Sequence, residues 1–287
     1  MKFDFLIFIA DERFLHVANF LYNKNFKVLV FGLFYKNKIL NSKIKRTNSL
    51  KFAIKNSKNI ICSIPFTRDF VFLNVKGRCI SINKFLSYLS FKNNLFGGMF
   101  TKKILKVCEE KNVLVYDYYK DYRFVINNSI ITAEVAVARA ILKNKVDMHF
   151  SDCLVLGFGN CGKIIANKLK NLSAKVFVCT DSEIEKNLAK SQGFSVFGLN
   201  SLLFKIDRFN YIFNTIPKNI FQKDFIEALN ENVYLLDIAC VLEFFKMNIK
   251  KNITIEKIRG IPGKFKAFSS GKLILDSTLQ FLKKNRV

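Results

Sequence analysis

Leu154-Val155-Leu156-Gly157-Phe158-Gly159-Asn160-Cys161-Gly162 is the stretch on which the reading of this chain turns. Three apolar residues run into a G-x-G-x-x-G loop, and a helical pattern follows over residues 162–172. An apolar strand, a glycine loop and a helix in that order give this spacing its value as a dinucleotide-binding signal. Gly157 permits the tight turn, Gly159 lets backbone approach a pyrophosphate, and Gly162 allows the helix to pack closely on the strand. Amides at the helix start, from Phe158 through Asn160 and Cys161, then face the phosphates, where the helix dipole favours negative charge. The whole chain holds only 12 glycines, so three at this spacing are a signal rather than incidental composition.

The next expected strand, 175–179, ends at Thr180-Asp181-Ser182, and that end decides the cofactor. An acid there binds the adenosine ribose hydroxyls of NAD, whereas a small residue with a neighbouring cation suits NADP. Thr180 is small and Asp181 is acidic, so both NADP and NAD stay open. Asp181 either contacts the ribose or caps a helix beginning near Ser182. Further strands are expected at 211–214, 233–237 and 254–257. Asn214-Thr215-Ile216-Pro217 and Asp237-Ile238-Ala239 leave two of these strands at their carboxyl ends, where ligands of parallel sheets bind. Asn214 and Asp237 serve equally as turn formers. The expected cofactor-binding set is therefore Gly157 to Gly162, Thr180, Asp181, Ser182, Asn214, Thr215, Pro217, Asp237 and Ala239.

Upstream the same alternation occurs. Apolar strands are expected at 5–9, 27–31, 59–64, 79–82 and 113–116, with helices at 11–22 and 132–142. Continuous apolar strands alternating with helices indicate a parallel sheet covered on both faces. The expected fold is α/β, with two tandem Rossmann-like doubly wound parallel-sheet domains and a cleft between them. Residues 1–127 form an N-terminal Rossmann-like substrate or partner domain. Residues 128–287 form an NAD(P)-binding Rossmann domain with connecting and C-terminal helices, the last over 271–284.

The formal charge of +25 raises the question of nucleic acid. Lysines spread along the whole chain, and abundant Lys, Asn, Ile and Phe with 3 Pro and no Trp fit compositional drift from AT-rich codons. No helix-turn-helix, zinc or stacking motif supports nucleic-acid recognition, and the field favours anionic ligands. The 7 cysteines show no metal-ligand spacing, and an odd number argues against a disulfide framework and for a reducing cytoplasm. Met1 to Ala10 makes a poor signal peptide, and no apolar stretch is expected to span a bilayer. His16 and His149 do not sit where catalysis would need them.

Asn128-Ser129-Ile130-Ile131-Thr132-Ala133-Glu134, the glycine loop, Asn214-Thr215-Ile216-Pro217 and Gly260-Ile261-Pro262-Gly263-Lys264 follow one another in the order of a known family. The chain resembles the A subunit of dipicolinate synthase over nearly its whole length. Ile9-Ala10-Asp11-Glu12-Arg13 is similar to that family's Gly-Gly-Asp-x-Arg, with Asp11 and Arg13 matching and both glycines replaced. Ile131 stands in place of the family's proline and Val135 in place of a glycine. Ala267-Phe268-Ser269-Ser270-Gly271 departs from its Pro-Lys-Thr-Ala-Gly-like run, and Asp181 stands where the family has a basic residue.

The resemblance implies an NAD(P)-dependent oxidoreductase subunit. It would convert a dihydrodipicolinate precursor to dipicolinate in the mother-cell cytoplasm of a sporulating bacterium. The flavoprotein-like second subunit of dipicolinate synthase is the implied partner, and self-association is left open. Removing a hydride from a ring with two carboxylates calls for cations and a proton acceptor. Arg13 and Lys264 are the candidate carboxylate clamps, Thr132 and Glu134 the candidate polar groups, and Arg68 an ordinary solvated cation. The alternative is a catalytically weakened protein that binds nucleotide and mainly assembles with the flavoprotein-like subunit.

Overall fold

A computed structural model describes residues 1–32, 39–221, 223–241 and 253–285. Contacts divide the chain into a first unit, Met1–Asn128 with Pro262–Val287, and a second unit, Ser129–Ile261. In the first, β1 (Phe3–Phe8), β2 (Val28–Phe31), β3 (Lys45–Thr47), β4 (Ser57–Ile61), β5 (Asn94–Gly97) and β6 (Leu114–Asp117) form one parallel sheet. Its order is β3-β2-β1-β4-β5-β6, the doubly wound arrangement with a switch point between β1 and β4. Successive side chains of β1 alternate between two cores, Leu6 and Phe8 on one face and Phe5 and Ile7 on the other. That two-sided burial is why the strand reads as one unbroken apolar run.

Helices α1 (Glu12–Asn23), α2 (Leu50–Lys55), α3 (Ile82–Tyr88) and α4 (Lys102–Glu110) connect these strands. Asp11 caps α1 by accepting from the Arg13 amide at 3.1 Å, and Phe14, Leu15, Val17, Ala18 and Leu21 line its buried face. The strand expected at 79–82 does not form. Ser81 instead caps α3 by accepting from the Lys84 amide at 3.2 Å, and its neighbours make isolated bridges, Phe72 with Ser81 and Val75 with Arg78. A short apolar run carries no period, and here the capping serine decides it.

The second unit begins inside α5 (Tyr122–Lys143), which starts ten residues before the helix expected at 132–142. Asp121 accepts from the Arg123 amide at 2.9 Å at its start. No proline or glycine interrupts it, and Ile131 and Val135 continue the helix where a breaker would end it. At 22 residues this helix is long and apolar enough to cross a bilayer, by length and composition alone, against the expectation from sequence. Ala133, Ala136, Val137 and Ala140 of its inner face belong to a core of the second unit. Arg139 pairs with Glu256 at 2.6 Å, and the Tyr234 hydroxyl donates to the same carboxylate at 2.7 Å.

The second sheet comprises β7 (Asp152–Leu156), β8 (Lys175–Cys179), β9 (Ser195–Phe197), β10 (Tyr211–Asn214), β11 (Tyr234–Asp237) and β12 (Thr254–Lys257). Its order, β12-β11-β10-β7-β8-β9, is again doubly wound and wholly parallel, with the switch between β7 and β10. Along β7, Cys153 and Val155 enter one core and Leu154 and Leu156 the other. Among the described residues, helices α6 (Asn160–Asn171), α7 (Glu183–Ser191), α8 (Lys223–Glu227) and α9 (Ile261–Phe265) follow, with short 3-10 turns at Tyr118–Lys120 in the first unit and at Leu199–Ser201 and Leu203–Arg208 in the second.

That last element, α10 (Ala267–Lys284), packs against α1 in the first unit, although its place in the chain groups it with the second. Its residues Ile274, Leu275 and Leu282 join the core that holds Phe14 and Leu21 of α1. Gly271 makes the close approach. A Cβ there would stand 2.7 Å from the Arg13 carbonyl oxygen and 2.9 Å from the His16 Cβ.

Candidate functional site

The glycine loop leaves β7 at the switch point of the second sheet. Gly157 takes φ +86°, and its amide donates to the Cys179 carbonyl at 2.9 Å. A Cβ on Gly157 would meet the Thr215 hydroxyl at 2.8 Å, and that hydroxyl donates to the Leu156 carbonyl at 2.8 Å. A Cβ on Gly162 would lie 2.2 Å from the Gly157 carbonyl oxygen, so this glycine lets α6 close on the loop. Phe158 is buried edge-on against Phe194, with ring centroids 5.5 Å apart.

Gly159 differs from its two neighbours. It is exposed, a Cβ on it would touch nothing nearer than the Glu185 Oε1 at 3.8 Å, and it caps α6 without a side-chain hydrogen bond. The first-turn amides of Asn160, Cys161 and Gly162 thus receive no side-chain cap, and no acid stands in that turn. Uncapped amides beside open backbone fit a pyrophosphate. Cys161 is half-buried, and burial pushes its thiol up, against a hydrogen bond with Ser129.

At the end of β8 the three expected residues separate. Asp181 is exposed and accepts from the Leu199 amide at 2.8 Å, and it does not cap α7. Ser182 does, accepting from the Glu185 amide at 3.4 Å. Thr180 is buried and donates its hydroxyl to Glu185 Oε2 at 2.7 Å, and the Phe158 amide donates to the same oxygen at 2.8 Å. Sequence reading missed Glu185. Its only sequence signal is an acid one turn into the helix that follows the strand. Lys186 pairs with Glu183 at 2.7 Å, and that pair holds the Glu183 carboxyl below its ordinary value.

Asn214 and Asp237 lie fully buried at the ends of β10 and β11. The Asn214 amide group donates to Asp237 Oδ1 at 2.9 Å, and the same oxygen accepts from the Cys240 amide at 2.9 Å. Asn214 Oδ1 accepts from the Ile216 amide at 3.1 Å. Both side chains therefore shape the strand-end turns that carry Thr215, exposed Pro217 and half-buried Ala239.

In the first unit, Arg13 sits where β1 and β4 end. Its Nε and Nη2 donate to the two Asp11 oxygens at 2.9 and 2.7 Å, and Nη2 also donates to the Ile64 carbonyl at 3.0 Å. A Cβ on Gly263 would meet the Arg13 Nε at 3.0 Å, so the Asp-x-Arg and Gly-Ile-Pro-Gly-Lys segments meet here, with exposed Lys264 next in sequence. Thr132 is buried in α5, two residues from exposed Glu134, whose carboxylate stands 3.6 Å from the Lys168 ammonium. Glu134 lies mid-helix rather than in a first turn, so it gains nothing from the dipole at the helix start.

Residues 10–119 match the protein family described as the N-terminal domain of the dipicolinate synthase A subunit. The dipicolinate synthase A subunit of Bacillus subtilis (strain 168) is 25% identical over 175 residues, which are 60% of this chain and 55% of that protein. The match thus spans about half the length of that curated relative. The crystal structure of the dipicolinate synthase A subunit from Bacillus halodurans superposes with a TM-score of 0.78, at 18% identity and over 98% of each chain. A transhydrogenase from Sinorhizobium meliloti superposes with a TM-score of 0.66 at 12% identity, over 98% of this chain and 93% of that one. The resemblance carried by the motif order is borne out, and so are the two Rossmann-like α/β folds.

Proposed function

We propose that this chain, similar to the A subunit of dipicolinate synthase, is an NAD(P)-dependent oxidoreductase that converts a dihydrodipicolinate precursor to dipicolinate. The observation that carries the reading is the glycine loop at the switch between β7 and β10, with Gly159 open and the first turn of α6 uncapped. NAD or NADP bound there supplies the hydride acceptor for aromatising the ring. Gly159 and the amides of Asn160, Cys161 and Gly162 hold the pyrophosphate. Gly157 and Thr215 keep the loop tight against the neighbouring strand, with Pro217 and Ala239 at the strand ends on the nicotinamide side.

The first unit is assigned to the substrate and to the flavoprotein-like second subunit of the synthase. Arg13 and Lys264 are its cations for the two carboxylates. Arg13 is held in a fixed fork by Asp11, which orients it and also neutralises part of its charge. Glu134 is the candidate for taking the departing proton, and Thr132 is a polar candidate beside it in sequence. The activity belongs to the mother-cell cytoplasm during sporulation, and the chain acts there with the flavoprotein-like subunit.

Freshly generated dihydrodipicolinate, offered with NAD or NADP and with or without the flavoprotein-like subunit, tests the proposal. Dipicolinate absorbance is expected to rise together with reduced nicotinamide. Nucleotide binding and assembly with the second subunit, without turnover under any of these conditions, would establish the second reading, a weakened protein that serves assembly. The engagement of Arg13 by Asp11 is the observation that favours that reading.

A further inference from the structure

We propose that Glu185 is the acid that recognises the adenosine ribose and sets the preference for NAD over NADP. This inference rests on the dinucleotide-binding reading above. In Rossmann domains a ribose-binding carboxylate comes from near the end of the second strand. Here that end offers Thr180, whose hydroxyl is turned to Glu185, and Asp181, whose carboxylate holds the Leu199 amide. Glu185 reaches back from α7 to the glycine loop instead. Its Oε2 accepts from both Thr180 and the Phe158 amide, so the carboxylate is fixed from two sides. Its Oε1 is directed toward the open backbone at Gly159, 3.8 Å from where a Cβ would stand.

A fixed carboxylate oxygen beside the pyrophosphate loop accepts hydrogen bonds from a ribose diol. A 2′-phosphate brought to the same place meets a like charge and finds the Thr180 hydroxyl already engaged. Lys186 of the same helix, a cation suited to a phosphate, is paired with Glu183. The small side chain of Thr180 therefore does not mark a phosphate pocket, because the Glu185 carboxylate stands against it.

Calorimetric binding of NAD and NADP to the parent, to Glu185→Gln and to Glu231→Gln tests this. Gln keeps an acceptor for Thr180 and Phe158 while removing the charge, and Glu231 is an exposed acid elsewhere in the second unit. The parent should bind NAD more tightly than NADP. Glu185→Gln should tighten NADP and weaken NAD, moving their ratio about tenfold or more. Glu231→Gln should leave the ratio near the parent's. ADP-ribose and 2′-phospho-ADP-ribose give a second readout in the parent alone, where the first should win. An unchanged ratio in Glu185→Gln, an equal shift in Glu231→Gln, or a parent that prefers NADP overturns the role of Glu185 and leaves dinucleotide binding standing. A parent that binds neither cofactor overturns both.

Discussion

Three glycines in one loop do three different things, and substitutions separate them. Gly159 has φ −68° and open space around its Cβ position, so a side chain there strains no backbone and meets no packed atom. Gly159→Val should therefore fold and melt like the parent while losing nucleotide affinity by about tenfold or more, since its methyls occupy the pyrophosphate approach. Gly162→Ala makes the opposite case. Its Cβ would meet the Gly157 carbonyl oxygen at 2.2 Å, a backbone atom that cannot swing aside, so this variant should lose stability first. Calorimetric titration with NAD beside a thermal melt reads both. Wild-type affinity in a folded Gly159→Val would move the binding site away from this loop. The glycines were legible from sequence because their spacing falls between an apolar strand and a helical pattern. Glu185 was not, because its importance comes from a side chain that folds back 27 residues to Phe158.

Helices meet where a residue is small enough, and α10 meets α1 at Gly271. Replacing a helical glycine by alanine ordinarily stabilises by up to about 1 kcal/mol. Here the added Cβ would press the Arg13 carbonyl oxygen at 2.7 Å, and overpacking typically costs about 1–3 kcal/mol. The clash outweighs the propensity, so Gly271→Ala should destabilise, and Gly271→Val should do so more. Ser269→Ala, two residues away on the exposed side of α10, should be nearly neutral. Denaturant melts check the order, and a stabilised Gly271→Ala would mean that the two helices are not packed through this residue. The helix itself was expected from its pattern, but its partner was not, because α1 lies some 250 residues earlier and no local signal spans that distance. Edge strand β3 escaped for another reason. Lys45–Thr47 has a largely exposed, polar face, so no apolar run announces it. The buried central strands β1 and β10 were expected close to their observed limits because two-sided burial writes itself as continuous hydrophobicity.

Across the whole molecule, the same six-stranded order occurs twice, and both central strands are sheathed by cores that shield thiols from water. That burial makes the protein sensitive to alkali. Burial pushes the Cys153 and Cys179 thiols of the second unit up to about 12, and Cys108 of the first unit to about 11, from an ordinary 9.0. The folded state therefore holds these protons above the pH at which the unfolded chain releases them. Their stabilising contribution is full below pH 9 and falls as pH rises from 9 through 11 and 12. Each buried thiol then costs about 1.4 kcal/mol per pH unit in that window, so two of them remove on the order of 3 kcal/mol from the second unit by pH 10. A domain stability of about 5–15 kcal/mol makes that loss visible as a lowered melting temperature. The surface works in the other direction. The formal charge of +25 falls in strong alkali, which relieves repulsion and opposes this loss. Melting temperature, followed under reducing conditions, should decline between pH 9 and 10, and the Cys153→Ala, Cys179→Ala double variant should decline less steeply than the parent. Equal slopes in the two proteins would show that the buried thiols do not govern alkaline stability.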